Sequence, residues 1–391
     1  MRARDLGIAI GRGRPGPRNA ISDVKGVRVG HTTLISGEGP LVVGEGPVRT
    51  GVTVIVPHDG DVWSEPIFAG CHRLNGNGEL TGLEWIRESG LLGGAIGLTN
   101  THSVGVVRDA LVAAAARARP KHEFWSLPVV GETYDGALSD IDGFHVQPEH
   151  VVAALDSASE DVAEGNVGGG TGMICHEFKG GIGTASRVLD AAAGGWTIGV
   201  LVQANYGERD LLRIDGVPVG ACIPRSEVPS AWDQVTARTR SGPEGGSIIV
   251  IVATDAPLLP NQCQRLAQRP SLGLGRMGSY ASHGSGDLFL AFATGNRGIS
   301  DTDDRRPSSH TVPLRMVDGA YISPLFEMAV EATEEAIVNA LLAAETMIGR
   351  DGITAHALDG ERARAILQEH GRVPRRRRVV AAAYNRRRAR P

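Results

Sequence analysis

Short apolar runs bounded by glycine or proline recur at residues 52–56, 95–99, 197–203 and 248–253, and each reads as a β-strand. The run IIVIVA at 248–253 carries no polar alternation. Such a strand is expected to be covered on both faces, by a second sheet on one side and helices on the other. Helical patterns occupy 79–88, 104–118, 148–157, 258–267 and 361–370. The clearest spans 324–348, where Ser323 is placed to cap, Pro324 suits the first position and Gly349 is placed to end the helix. Val330, Ile337, Leu341, Ala344 and Ile348 fall on one stripe of it. Strands and helices mix without strict βαβ alternation or an internal repeat, which predicts an α+β layered architecture rather than a doubly wound sheet. Segments 236–246 (TARTRSGPEGG) and 295–309 read as loosely structured.

Composition narrows the picture. The 391 residues are 41% apolar and 21% charged, enough for a substantial core and against wholesale disorder. Glycine stands at 53 residues without a three-residue period, so it marks turns and close backbone approaches. The net charge of −4 conceals an asymmetry, because nine arginines and no acids lie between Arg372 and Pro391. Residues 1–370 therefore read as one acidic domain and 371–391 as a solvated tail. An acidic body argues against nucleic acid as the main partner, leaving only weak contact through the tail. Four cysteines without CxxC spacing, no apolar signal segment and no run long enough to span a bilayer predict a soluble, cytoplasmic protein away from membranes.

Several familiar patterns fail on context. Residues 273–278 match GxGxxG, but Arg269-Pro270-Ser271 stand where a strand is required. The run GNVGGGTG at 165–172 lacks the lysine of a phosphate loop and reads as a tight turn. His283 precedes Ser285 by two, so GxSxG is absent. Cys71-His72 and Cys175-His176 have no supporting ligand spacing; neither a metal nor another cofactor is implied.

The informative place is Gly245-Gly246-Ser247, a flexible segment running straight into the apolar strand. A serine hydroxyl needs a nearby base to act as a nucleophile. A cut before Ser247 would free its own α-amine, whose intrinsic pKa of about 7.7–8.0 suits it to that task near neutrality. The glycines expose the Gly246 carbonyl and tolerate strained backbone, and the strand would hold the nucleophile.

Read in order, NAISDVKGVRVGH at 19–31, LNGNGELTG at 74–82, TNTHSVGVV at 99–107, ETYDG at 132–136, GNVGGGTGM at 165–173, QANYG at 203–207, GS at 246–247 and SGDLF at 285–289 resemble the self-processing N-terminal-serine aminopeptidases. That family includes the L-aminopeptidase/D-esterase and β-peptidyl aminopeptidase types. The resemblance implies an αββα sandwich cut into two associated chains (1–246 and 247 onward), assembled as a tetramer of such pairs and acting on small peptides or amides. It also implies roles: Ser247 as nucleophile, Gly246 as processed carbonyl, Asn205 as oxyanion stabiliser and Tyr134 at the active site. Ser285 with Asp287 matches the pair that orients the proton relay; β-peptidyl types carry Glu at the latter position. Chemically the set coheres, since a carboxamide N–H stabilises an oxyanion and residues i and i+2 share one side of a strand. Glu132, with Asp135 as the second choice, is the candidate to hold a substrate ammonium. Two alternatives to the aminopeptidase remain: an acyltransferase like ornithine acetyltransferase, which uses threonine, and an unprocessed binding protein.

Overall fold

The computed structural model of the protein describes residues 1–119, 124–239, 246–299 and 311–374. In chain order the strands are β1 (Arg28–Ser36), β2 (Val48–Val56), β3 (Ile67–Gly76), β4 (Leu91–Leu92), β5 (Ile96–Asn100), β6 (Val129–Thr133), β7 (Ile174–Cys175) and β8 (Phe178–Lys179). They continue as β9 (Gly181–Val188), β10 (Thr197–Asn205), β11 (Ser247–Thr254), β12 (Gly286–Ala293), β13 (Met347–Ile348) and β14 (Thr354–Ala355). The helices are α1 (Leu83–Ser89), α2 (Val104–Arg117), α3 (Pro148–Asp156), α4 (Ala231–Thr239), α5 (Pro260–Ala267), α6 (Pro270–Arg276), α7 (Ser323–Ala343) and α8 (Gly360–Glu369).

Two sheets stack face to face, one of four strands in the order β1-β2-β5-β6 and one of six in the order β4-β3-β12-β11-β10-β9. Period-two alternation sorts the side chains of β11 between two cores. Ile249, Ile251 and Ala253 meet Ile55, Leu98 and Val129 between the sheets. Ile248, Val250 and Val252 instead join Leu266 of α5, Leu274 of α6 and Ile337 of α7. On the far side, Val107 and Leu111 of α2 and Val151 of α3 cover Val52 and Val54 of the smaller sheet. The layers therefore run helix, sheet, sheet, helix, and the unalternating strand is covered as its sequence requires. Among the described residues, no helix is long and apolar enough to cross a membrane, and no group of three or more His, Cys, Asp or Glu could hold a metal ion.

Four expectations need correcting. The long helix stops at Ala343 instead of 348, because Asn166 grips Glu345 twice: its Nδ2 donates to the Glu345 carbonyl (2.8 Å) and its Oδ1 accepts the Glu345 N–H (3.1 Å). The chain turns out of the helix there, and Ile348 pairs with Thr354 in a two-residue ladder, 57% exposed. Ser323 lies inside the helix, with Ile322 at the cap position and no side-chain cap. Residues 236–239, expected in a loose segment, complete α4, while 240–245 lie outside the described residues. Val373 is buried in the helix-side core, so the packed domain reaches past residue 370; the rest of the arginine-rich tail and residues 300–309 of the second loose segment lie outside the described residues. The 273–278 motif falls in and after α6, whose predecessor is a helix, so no dinucleotide turn exists there.

Candidate active site

Three adjacent strands bring distant parts of the sequence to one end of the larger sheet. In the antiparallel β10–β11 pair Asn205 stands opposite Ser247, and in the parallel β11–β12 pair Ser247 is level with Gly286. Ser247 is buried. The residue before it is fixed by its neighbours: a Cβ on Gly246 would lie 2.4 Å from the Asn205 carbonyl oxygen and 2.5 Å from the Tyr206 Cα. Only glycine fits so close an approach. The Gly246 carbonyl accepts a hydrogen bond from the Gly286 N–H (3.1 Å), which polarises the carbonyl.

Asn205 is oriented through both ends of its carboxamide. Its Oδ1 accepts the Ile174 N–H (2.8 Å), and its Nδ2 donates to the Tyr134 carbonyl (3.0 Å), at the end of the smaller sheet. A carboxamide carries two N–H donors, and the second has no acceptor among the described residues, so it is available to a developing oxyanion. Ser285 donates to Asp287 Oδ2 (2.6 Å) and accepts from Asn75 Nδ2 (3.0 Å), a buried hydroxyl–carboxylate pair at the start of β12. Burial raises the Asp287 carboxyl to about 6, with the Ser285 hydroxyl pulling the other way. Asn205, Gly246, Ser285 and Asp287 line a cleft of about 560 Å³, together with Trp232 of α4 and Tyr280.

Glu132 sits on β6 behind this end of the sheet, almost fully buried. Its Oε1 accepts the Glu79 N–H (2.9 Å) and its Oε2 the Thr101 hydroxyl (2.5 Å). Burial raises its pKa, opposed by those two hydrogen bonds. Gly78 separates it from Gly286, the cross-strand neighbour of Ser247: a Cβ there would stand 2.9 Å from Glu132 Oε1 and 3.4 Å from the Gly286 Cα. Asp135 is completely buried and accepts from Asn100 Nδ2 with both oxygens (3.2 and 3.0 Å); neither it nor Glu132 is among the residues that line the cleft. Burial lifts it to about 7. The Tyr134 side chain is 43% exposed and its hydroxyl has no hydrogen-bond partner among the described residues; the main-chain carbonyl of this residue is what reaches Asn205.

Sequence reasoning passed over Asn75, Thr101 and the backbone N–H groups of Gly286 and Ile174. The first two lie inside the 74–82 and 99–107 blocks, which carried the resemblance without a role assigned to either. Backbone donors leave no mark in side-chain identity.

Residues 19–355 match peptidase family S58. The beta-peptidyl aminopeptidase BapA of Sphingosinicella microcystinivorans is 49% identical, the match covering 95% of this chain and 93% of that protein. BapA of Sphingosinicella xenopeptidilytica is 44% identical over 96% and 92%. Among solved structures, a Burkholderia sp. beta-aminopeptidase superimposes with a TM-score of 0.87 at 54% identity, over 96% of this chain and all of that one. The l-aminopeptidase d-ala-esterase/amidase of Ochrobactrum anthropi, described as a variant of the Ntn hydrolase fold, gives 0.84 at 44% identity over 95% and 99%. With a serine set at the start of a central strand in such a sandwich, the chain belongs to peptidase family S58 and is an aminopeptidase of the N-terminal-nucleophile hydrolase fold.

Proposed function

We propose that the chain cuts itself between Gly246 and Ser247, and that the freed Ser247 then releases N-terminal residues, β-residues included, from small peptides, amides and esters. The observation that supports this best is the shared register of Asn205, Ser247 and Gly286. In self-cleavage the Ser247 hydroxyl adds to the Gly246 carbonyl carbon, and the Gly286 N–H holds the oxygen on which charge develops. Collapse expels the Ser247 nitrogen and leaves an ester, which water hydrolyses to a Gly246 carboxylate and a serine with a free α-amine. That amine takes the hydroxyl proton in the next reaction, with Ser285 and Asp287 orienting the transfer. The substrate carbonyl then meets the spare Asn205 N–H and the Gly286 N–H vacated by Gly246. Glu132 holds the substrate ammonium, which confines attack to the terminal residue. Preference for β-residues is inferred from the names of the two BapA relatives and the Burkholderia aminopeptidase. The working particle is a cytoplasmic homo-oligomer of processed pairs.

Intact mass and N-terminal sequencing of purified protein test the cut. Cleavage divides 41.1 kDa into pieces of about 26 and about 15 kDa, the smaller beginning at Ser247, whereas Ser247→Ala remains one inactive chain. A folded wild-type preparation that stays a single polypeptide would falsify the proposal.

A further inference from the structure

The glycine-rich run at 165–172 and the hairpin after it carry a charge that the chemistry above leaves unused. The run packs closely against strands of both sheets: a Cβ on Gly169 would lie 2.7 Å from the Leu98 carbonyl oxygen of β5, and one on Gly170 2.4 Å from the Ile182 nitrogen of β9. The β7–β8 hairpin follows, turning through His176 and Glu177 with φ of 47° and 64°. Lys179, at its end, is completely buried. Its Nζ donates to the carbonyls of Met173 (2.7 Å), Gly180 (2.9 Å) and Gly170 (3.4 Å). An ammonium has three donors, and here all three go to backbone carbonyls of one short segment. A buried cation is costly to desolvate, and a methionine of similar length would fill the space without that penalty. What the cation adds is rigidity in the three carbonyls.

That rigidity bears on the active site within one residue. The Met173 carbonyl also accepts the Gly180 N–H (2.8 Å), and the next N–H along, that of Ile174, is the one that fastens Asn205 Oδ1. With Oδ1 held there, Nδ2 is obliged to point the other way, to the Tyr134 carbonyl, leaving its second N–H free. We infer that Lys179 is a positioning residue, which clamps the 170–180 segment so that the Ile174 N–H sets the Asn205 carboxamide for the oxyanion. This rests on the reading of Asn205 as an oxyanion donor.

Two substitutions interrupt the chain of contacts at different points. Lys179→Met removes the charge, and Ile174→Pro keeps Lys179 and its three carbonyls but deletes the N–H that holds Oδ1. Rates on an alanine amide are divided by the number of mature sites, counted from the sequencing yield of Ser247. Each single variant should lose on the order of tenfold in kcat with KM within about twofold, part of the 10²–10³ that removal of an oxyanion donor costs. The double variant should lose no more than the worse single one, since both act through Asn205. Additive losses, or wild-type kcat in either variant, overturn the inference. Should Lys179→Met not fold, Lys179→Gln, which keeps two donors, takes its place in the cycle with a smaller expected loss. A folded Lys179→Met chain that fails to cut itself counts in favour only when Ile174→Pro fails likewise, and against otherwise. Asn205→Ala is run in parallel: full activity there sinks the oxyanion reading itself, whereas an impaired Asn205→Ala beside an unimpaired Lys179→Met sinks only the role of Lys179.

Discussion

Glu132→Gln isolates the charge that would make this enzyme take only terminal residues. The substitution is close to isosteric, and the structure shows why it leaves the surroundings satisfied. The glutamine oxygen keeps the Glu79 N–H, and its NH₂ group faces the Thr101 hydroxyl, which can rotate to accept instead of donate. Glu132→Ala would be a poor substitute, because it strands both donors and costs about 1–3 kcal/mol of stability for each. Losing a hydrogen bond to a charged group is worth about 1.5–3 kcal/mol, or roughly 13- to 160-fold in kcat/KM for a substrate with a free amine. An N-acetylated substrate brings no ammonium, so its rate should barely change. The assay is kcat/KM for an alanine amide and its N-acetyl form on wild type and variant, with self-cleavage checked by mass, since that step needs no external ammonium. A pH control sharpens it. Burial raises the Glu132 pKa, and a carboxyl gains its proton as pH falls, so wild type should lose its free-amine preference on the acid side at a higher pH than an ordinary carboxylate would. A variant that discriminates between the two amides as strongly as wild type would refute the assignment of Glu132.

Asp287 predicts a second pH effect, read on the N-acetyl amide so that Glu132 does not contribute: Ser285 donates to Asp287 fully only above about 6, while the Ser247 amine must also be neutral, so log(kcat/KM) should steepen from slope one to slope two below about 6. Asp287→Asn should hold slope one, and a wild-type profile with slope one throughout contradicts the relay. Asn205→Ala should lower kcat by about 10²–10³ with a smaller effect on KM; equal losses in binding and turnover would point to misfolding of that end of the sheet. Finally, the two pieces should travel as one particle in native mass spectrometry, because exposing Ile248–Val252, all fully buried, would cost on the order of 10 kcal/mol. Separation without denaturant would count against that.

The four runs with a plain apolar signature all mark observed strands, 95–99 overlapping β5 from Ile96 on, and the strand that positions Ser247 was the most legible of them. The missed strands explain themselves physically. Those at 129–133 and 181–188 set glycine and polar residues at buried positions, where partners on other elements leave no local pattern, while 28–36 and 67–76 interleave their apolar residues with glycine and part-exposed polar ones. Thr184, for example, donates to the Val200 carbonyl on the neighbouring strand, and Arg187 is wholly buried against Glu331 and Glu335 of α7. The end of α7 was illegible for the same reason, since the residue that stops it, Asn166, is 179 positions away from Glu345. Ser247, Ser285, Asp287 and Asn205 were reachable only through the ordered blocks taken together. The backbone donors beside them emerge from register, which is a property of the folded sheet.

The proposed cut falls at the first residue of a strand flanked on both sides, β10 on one and β12 on the other. This orders events in time. The piece ending at Gly246 supplies β3, β4, β9 and β10, the two outer pairs of the larger sheet, and without β11 and β12 these would face each other across an empty gap two strands wide. Neither piece can therefore assemble first and wait for the other. Collapse of the whole polypeptide must precede scission, and the peptide bond is spent only after it has served to deliver the middle of the sheet. A strain that makes the two pieces from separate genes should depend on their meeting while still unfolded, and mixing finished pieces should yield nothing.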